Sequence, residues 1–295
     1  MILLNKKLLL IVILLIPITI ISFTNRKTNF YLAEKQSYDI NIKINNNTIT
    51  VPLEEYLIGV VAGEMPASFQ LEALKAQAIA SRTYAYNYIL SSKEILPTTD
   101  NQVYLTNEEL QNKWQSRYTE YYNKIKKAVE ETKGEIITYN DKPIKAYYFS
   151  MTNGYTESSL NVFNEENEYL EITKSEWDSD NSYETIMSKE DFCQKLNISC
   201  QNIIIGNIIK DESNRISTLT INNQTFTGIE LRKKLSLRST DITIIEENDN
   251  IKITTKGYGH GVGMSQYGAN NMAKSGYNYQ EILKYYYKNT EINNI

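Results

Sequence analysis

The order of apolar and polar positions divides this chain into stretches of three kinds. The first is a single block: residues 8–23 are almost wholly apolar, with Lys6 and Lys7 before them and Thr24, Asn25, Arg26 and Lys27 after. The block is longer than an ordinary signal-peptide core, and no small-residue cleavage site follows it, so it predicts an uncleaved transmembrane signal anchor. Residues 1–7 are then a cytoplasmic stub, residues 24–38 a stalk, and residues 39–295 an exported domain. The shortness of the stub sets this orientation, because Arg26 and Lys27 balance Lys6 and Lys7.

The second kind is strict alternation. Ile40, Ile42 and Ile44 alternate with polar residues, Asn45, Asn46 and Asn47 supply a turn, and Ile49 and Val51 resume the alternation, which reads as a hairpin. A second hairpin is expected over residues 134–150, turning at Asn140-Asp141, with further strands over 216–221, 225–227, 242–246 and 251–255. The third kind has helical spacing. Pro52 suits the first position of a helix over 53–63, which Pro66 prevents from continuing. Ser68 is placed to cap an alanine-rich helix over 69–90, with Leu71, Leu74, Ala78, Ala85 and Ile89 as a buried stripe. Other helices are expected over 107–132, 184–200, 228–235, 265–274 and 279–288. The fold class expected is α+β, with helices packed on antiparallel strands in two lobes and a cleft between them.

Composition narrows the function classes. Charged residues are 22% of the chain and the hydrophobic set 41%, which is a globular balance. With 31 basic and 35 acidic residues the net charge is -4, which argues against nucleic acid as a partner. Tyrosine, at 23, far outnumbers tryptophan, at 2; tyrosine-lined grooves suit sugars, although most of the 23 serve as ordinary filler. Cys193 and Cys200 either close one short disulfide loop, as export would allow, or remain two thiols. As zinc ligands they lack company, since His260 is the chain's single histidine.

Two stretches carry candidate chemistry. VVAGEMP, residues 60–66, sets Glu64 among small and apolar neighbours, where a carboxylate is costly to desolvate. A solvated helix end is the plain alternative. GYGHGVGMSQYGA, residues 257–269, fits neither a dinucleotide fingerprint nor a phosphate loop, and reads as a turn or as the binding wall for an uncharged polar ligand. A serine triad or a cysteine nucleophile would have to borrow His260, and no H-E-x-x-H is present. Carboxylate chemistry remains, with Glu64 as the group whose surroundings raise its pKa.

These stretches bring a family into view. GVVAGEMPASFQLEALKAQAIASRTYAY at 59–86 and GHGVGMSQYGA at 259–269 resemble the two signatures of the stage II sporulation protein D family. Gln102-Val103-Tyr104, SMTNGYTES at 150–158, Trp177-Asp178 and GIELRKKLSLRST at 228–240 match it between them, so the similarity spans roughly residues 38–290. The resemblance implies a membrane-anchored lytic transglycosylase. Such an enzyme cleaves peptidoglycan glycan strands between N-acetylmuramic acid and N-acetylglucosamine and leaves 1,6-anhydro ends. It acts in forespore engulfment beside a cell-wall amidase and a polytopic membrane protein, on the extracytoplasmic side between the mother-cell and forespore membranes. Glu64 then matches the catalytic glutamate. Lys75 and Arg82 match basic positions of the motif and are implied to bind substrate, by orienting Glu64 or holding sugar and acetamide oxygens, and Ser150, Asn153, Asp178, His260, Ser265 and Gln266 are implied to line the substrate cleft. Many relatives carry cysteine and histidine, which look like metal ligands, just before Gln-Val-Tyr, where Leu96, Asp100 and Asn101 stand here, and often histidine where Phe149 sits. No metal and no cofactor is therefore expected. Glu171 stands where a basic residue would be expected. The competing reading is a non-catalytic peptidoglycan-binding module that recruits or enhances an amidase.

Overall fold

A computed structural model describes residues 37–44, 47–178 and 181–295. The expected stub, anchor and nearly all of the stalk lie outside the described residues, as do Asn45 and Asn46 of the first turn. Among the described residues no helix is long and apolar enough to cross a membrane. Strands β1 (Asp39–Ile44) and β2 (Asn47–Pro52) pair antiparallel, with Ile42 opposite Ile49. Ile40 and Ile42 are buried while Asp39, Asn41 and Lys43 face solvent, which is the alternation read in the sequence.

Helix α1 (Leu53–Glu64) starts directly after Pro52, which occupies the N-cap rather than the first helical position. It stops at Glu64 because Met65, preceding Pro66, is held extended (φ -119°, ψ 145°). Helix α2 (Leu71–Leu90) starts later than Ser68 would have it; Gln70 is the N-cap, and its N–H donates to Asn270 Oδ1 at 2.8 Å. Its middle, Ala73 through Ala80, is buried on almost every side rather than along one stripe, so α2 is the central post of the helical body. Alanines keep that post thin enough for its neighbours to pack closely. Residues 107–132 form two helices, α3 (Asn107–Trp114) and α4 (Tyr118–Glu131), instead of one. The chain turns at Gln115 (φ 47°), and Trp114 packs edge-on against Tyr121 across the corner.

Strands β3 (Glu135–Tyr139) and β4 (Lys142–Pro143) form the expected hairpin, with Asn140 and Asp141 both left-handed as a two-residue turn requires. The hairpin ends there, because β5 (Tyr148–Phe149) leaves it for a parallel pairing described below. After the short helix α5 (Ser159–Phe163) comes a β-rich lobe. Residues 184–200 are not one helix: β6 (Ser182–Ser188) precedes α6 (Lys189–Leu196), whose first turn is capped by Ser188 accepting from Asp191 N–H. Strands β7 (Ile205–Lys210), β8 (Ile216–Ile221) and β9 (Gln224–Thr227) form one antiparallel sheet. Helix α7 (Gly228–Lys234) follows, and β10 (Asp241–Glu247) and β11 (Asn250–Lys256) join β6 in a second sheet. Phe192, Leu196, Leu219, Leu231, Ile242 and Ile253 belong to a hydrophobic core contained within this lobe. Cys193 and Cys200 form a disulfide at its edge.

Strand β12 (Met264–Ser265) pairs in parallel with β5, and α8 (Gln266–Lys274) and α9 (Tyr279–Tyr286) return to pack on α2. A last strand, β13 (Glu291–Asn294), joins β3 on the side away from β4. The result is α+β; among the described residues every pair of named strands is antiparallel except β5–β12.

Candidate active site

Glu64 is aimed by the backbone that packs against α1. The extended segment 102–105 lies across the helix at Gly59 and Gly63, one turn apart, and both glycines are needed for that approach. A Cβ at Gly59 would lie 2.5 Å from the Leu105 carbonyl, and one at Gly63 would lie 2.5 Å from the Val103 carbonyl. The closeness lets Val103 N–H donate to Glu64 Oε1 at 2.7 Å. Tyr148 and Gln266 also hydrogen-bond the carboxylate. Those three bonds favour the ionised form, yet burial outweighs them and the pKa of Glu64 is raised above the ordinary glutamate value. Its place at the C-terminal end of α1, with no basic residue in the last turn, pushes in the same direction, because that end of a helix disfavours negative charge.

A polar network backs this arrangement. Gln102 Nε2 donates to Tyr148 Oη at 3.1 Å and to the Ser81 carbonyl at 3.2 Å, while Tyr56 Oη donates to Gln102 Oε1 at 3.2 Å. Tyr148 Oη therefore accepts a hydrogen bond from Gln102 and has its own O–H to donate to Glu64. The glycine loop fixes Tyr148 from the other side. Gly263 (φ 80°) lies so close to the chain that a Cβ would sit 1.9 Å from the Tyr147 carbonyl, and Met264 N–H donates to that carbonyl at 3.1 Å. His260 belongs to this scaffold. Its Nδ1 accepts from Val262 N–H at 3.0 Å, and its ring bonds the Tyr148 backbone. Burial, with Arg232 nearby, depresses its pKa to about 4, so it is neutral at physiological pH.

Glu64 opens into a cleft of about 300 Å³. Tyr84, Tyr147, Phe149 and Phe163 form its aromatic walls, and Asp100, Asn101 and Arg232 are its polar rim. Arg232 comes from α7 of the β-rich lobe and Glu64 from the helical body, so the cleft runs between the two. Rings of this kind match the apolar faces of sugars, and the rim can hydrogen-bond hydroxyl and acetamide groups.

The other expected site residues have partners within the fold. Lys75 bridges Glu72 and Glu131, each at 2.8 Å. Arg82 is fully buried, forked onto Glu54 at 2.9 and 2.7 Å, and bonded to the carbonyls of Glu135 and Val129. Neither basic side chain lines the cleft. Asp178, also buried, accepts from Thr152 N–H at 2.9 Å, Thr152 Oγ1 at 2.7 Å and Ser265 Oγ. Ser265 caps α8, and the Ser150 carbonyl accepts from Tyr267 N–H at 3.1 Å. Asn153 donates to the Ser213 carbonyl and to Asp241. These residues staple the 150–154 loop to the start of α8, where Gln266 turns toward Glu64. Glu171 lies apart, near Asp211 and Glu212. The sequence reading missed Tyr148 and Arg232. Both lie within or beside stretches that carried the family resemblance, and neither has a local periodicity that singles it out.

Asp100, Asn101 and Phe149, which stand where relatives were expected to carry metal ligands, do line the cleft. A zinc ion does not fit this donor set. The ring nitrogens of His260 are engaged with the backbone of Val262 and Tyr148, and among the described residues no group of three His, Cys, Asp or Glu side chains is placed to hold a metal.

Residues 43–139 match the family model described as SpoIID, stage II sporulation protein. The chain is 41% identical over 262 residues to stage II sporulation protein D of Bacillus subtilis (strain 168), covering 84% of this chain and 76% of that protein. It is 39% identical to the protein of the same name from Bacillus amyloliquefaciens, with the same coverage. It is also 30% identical to an amidase enhancer of Bacillus subtilis (strain 168), over 80% of this chain but 40% of that protein. With residues 43–139 matching the family model and about two-fifths of its residues identical to these sporulation proteins over most of its length, the chain belongs to the stage II sporulation protein D family.

Proposed function

We propose that this protein is a lytic transglycosylase that cuts peptidoglycan glycan strands between N-acetylmuramic acid and N-acetylglucosamine during forespore engulfment. The observation that carries the reading is Glu64: a carboxyl group with a raised pKa at the head of an aromatic cleft. Protonated, Glu64 donates to the glycosidic oxygen as the bond from the muramyl C1 breaks. The resulting carboxylate takes the proton of the same sugar's 6-hydroxyl, whose oxygen closes on C1 to give the 1,6-anhydro ring. No water is consumed, and Glu64 ends protonated as it began. Val103 N–H, Tyr148 and Gln266 hold the carboxylate between the two transfers. General acid catalysis of this kind contributes about 10²–10⁴-fold.

The protein sits, in this reading, as a single-pass membrane protein with residues 1–7 in the cytoplasm and the domain outside, between the mother-cell and forespore membranes. The Cys193–Cys200 disulfide supports an oxidising compartment. A sporulation amidase and a polytopic membrane protein are its expected partners. The similarity to an amidase enhancer favours a second reading, a glycan-binding module that stimulates an amidase without cutting. The test is mass spectrometry of purified peptidoglycan, intact or stripped of stem peptides, after incubation with wild type, Glu64→Gln or Glu64→Ala. Anhydro ends from wild type alone support the transglycosylase. Reducing ends would point instead to hydrolysis with water, in which Asp100, the cleft's other carboxylate, would be the second group. Binding without any cleavage would favour the amidase-partner reading.

A further inference from the structure

Five arginines lie among the described residues, and four of them have clear partners. Arg82 is forked onto Glu54, Arg117 pairs with Glu120, Arg215 bonds the Tyr155 carbonyl beside Glu157, and Arg238 lies over the rings of Tyr183 and Tyr258. Arg232 differs. It is partly buried in the wall of the Glu64 cleft, and among the described residues its guanidinium makes no hydrogen bond and no ion pair. Neither carboxylate of the cleft, Glu64 or Asp100, is paired with it. Burial pulls its pKa down by more than the neighbouring Tyr258 raises it, which marks a cation held partly out of water.

The side chain is also held on a firm base. Thr227 and Glu230 form a capping box at the start of α7, and Leu231 is fully buried in the core of the β-rich lobe. Leu237 N–H donates to the Arg232 carbonyl at 2.9 Å, and Gly228 packs so tightly that a Cβ would lie 2.0 Å from the Ile216 carbonyl. An unpaired guanidinium on a firmly held backbone, in a cleft whose walls are mainly aromatic, can receive a planar anion, and a carboxylate fits its fork in two parallel bonds.

We propose that Arg232 is a substrate-binding residue that takes a carboxylate of the bound glycan strand. This rests on reading the cleft as a glycan site. The N-acetylglucosamine units of such a strand are uncharged. The muramyl lactyl group carries a free carboxylate when no peptide is attached, and otherwise an amide leading to a stem peptide with carboxylates of its own. Either source presents the same group to Arg232.

The experiment measures binding of the full chain in mild detergent, with Glu64→Gln throughout to block turnover, and adds Arg232→Gln or Arg232→Lys. The ligands are peptide-free glycan strands, the same strands with the lactyl carboxylate reduced to an alcohol, and strands bearing stem peptides. If the lactyl group is the source, Arg232→Gln weakens binding of peptide-free strands about tenfold or more. Reducing the carboxylate then weakens the parent by the same factor and leaves Arg232→Gln unaffected, while Arg232→Lys falls between. If the stem peptide is the source, the loss appears only with peptide-bearing strands. Equal affinity of parent and Arg232→Gln for every strand, at equal thermal stability, overturns the proposal. Should Arg232→Gln fold poorly, the reduced strand carries the test on the parent protein alone. Failure of the parent to bind any strand overturns the inference together with the glycan reading. Binding without 1,6-anhydro product from wild type overturns only the transglycosylase.

Discussion

Gly63→Ala tests how Glu64 is aimed. The added methyl would stand 2.5 Å from the Val103 carbonyl, about 0.9 Å short of ordinary contact, and the obstacle is backbone rather than a side chain that can swing away. The 102–105 segment must therefore lift off α1. The bond from Val103 N–H to Glu64, now 2.7 Å, is the first to open. Overpacking of this size costs about 1–3 kcal/mol. Losing a hydrogen bond to the carboxyl group adds about 1 kcal/mol, and the better helix propensity of alanine returns up to about 1 kcal/mol. The net is a destabilisation of about 2 kcal/mol, or a Tm lower by roughly 4–8 °C for a domain of this size. Glu64 also loses a bond that holds its pKa down, so the alkaline limb of kcat moves to higher pH. A displacement near 1 Å at the acid lowers kcat about 10²-fold. Gly59→Ala meets Leu105 and Tyr104 instead, one turn from Glu64, and should lower Tm without moving the pH profile. Thermal unfolding and pH-resolved release of anhydro ends measure both variants. A Gly63→Ala protein with wild-type Tm and kcat would refute the claim that close approach at Gly63 aims the glutamate.

Four further outcomes are expected. Because the folded pKa of Glu64 is raised, its stability contribution is complete below the ordinary glutamate pKa and is lost as pH rises through the raised value; Glu64→Gln should raise Tm at neutral pH, with the difference vanishing below about pH 4 in pH-dependent melts. Tyr148→Phe removes a bond that lowers the same pKa, so kcat should fall about tenfold and its alkaline limb should shift upward, as pH–rate profiles would show. Replacing Cys193 and Cys200 with serine should cost about 2–3 kcal/mol, the entropy of so short a loop, and lower Tm in oxidising buffer while removing the effect of added reductant. Arg82→Met leaves Glu54 and two carbonyls without their partner and should destabilise by about 3 kcal/mol in denaturant melts; a collapse of kcat at unchanged stability would return Arg82 to the cleft.

Much of the fold was written in local chemistry. Pro66 ends α1, Asn140-Asp141 turns the β3–β4 hairpin, and isoleucine alternation marks β1, all of them signals within a few residues. The failures have one physical character. The break at Gln115 carries no glycine or proline, because packing of Trp114 against Tyr121 makes the corner. SYETIMS reads as the front of a helix until β11 is there to pair with it, and β13 exists as a strand only beside β3. The site divides in the same way. Glu64 is legible because a lone carboxylate among small apolar residues is locally expensive. Tyr148 is not, because its meaning comes from Gln102, 46 residues away, and Arg232 reaches the cleft only when two lobes meet.

That division explains why the stretch around Glu64 is so long when one side chain carries the proposed acid chemistry. Arg82, at the heart of α2, forks onto Glu54 in the first turn of α1 and fixes that helix at its start. Gly59 and Gly63 fix its face against the 102–105 segment, and Pro66 fixes its last residue. Lys75, two turns earlier on the same face of α2, ties α4 to the same frame through Glu131. The basic positions of the motif thus act at the far end of a rigid rod whose near end is Glu64. The second signature works likewise. His260 and Ser265 hold Tyr148 and the start of α8, and only Gln266 reaches the carboxylate. A short helix end loaded with one glutamate would be free to turn its carboxylate into solvent, where its pKa would relax to the ordinary value and the proposed acid would be weakened. The length of the motif is the length of structure needed to prevent that rotation.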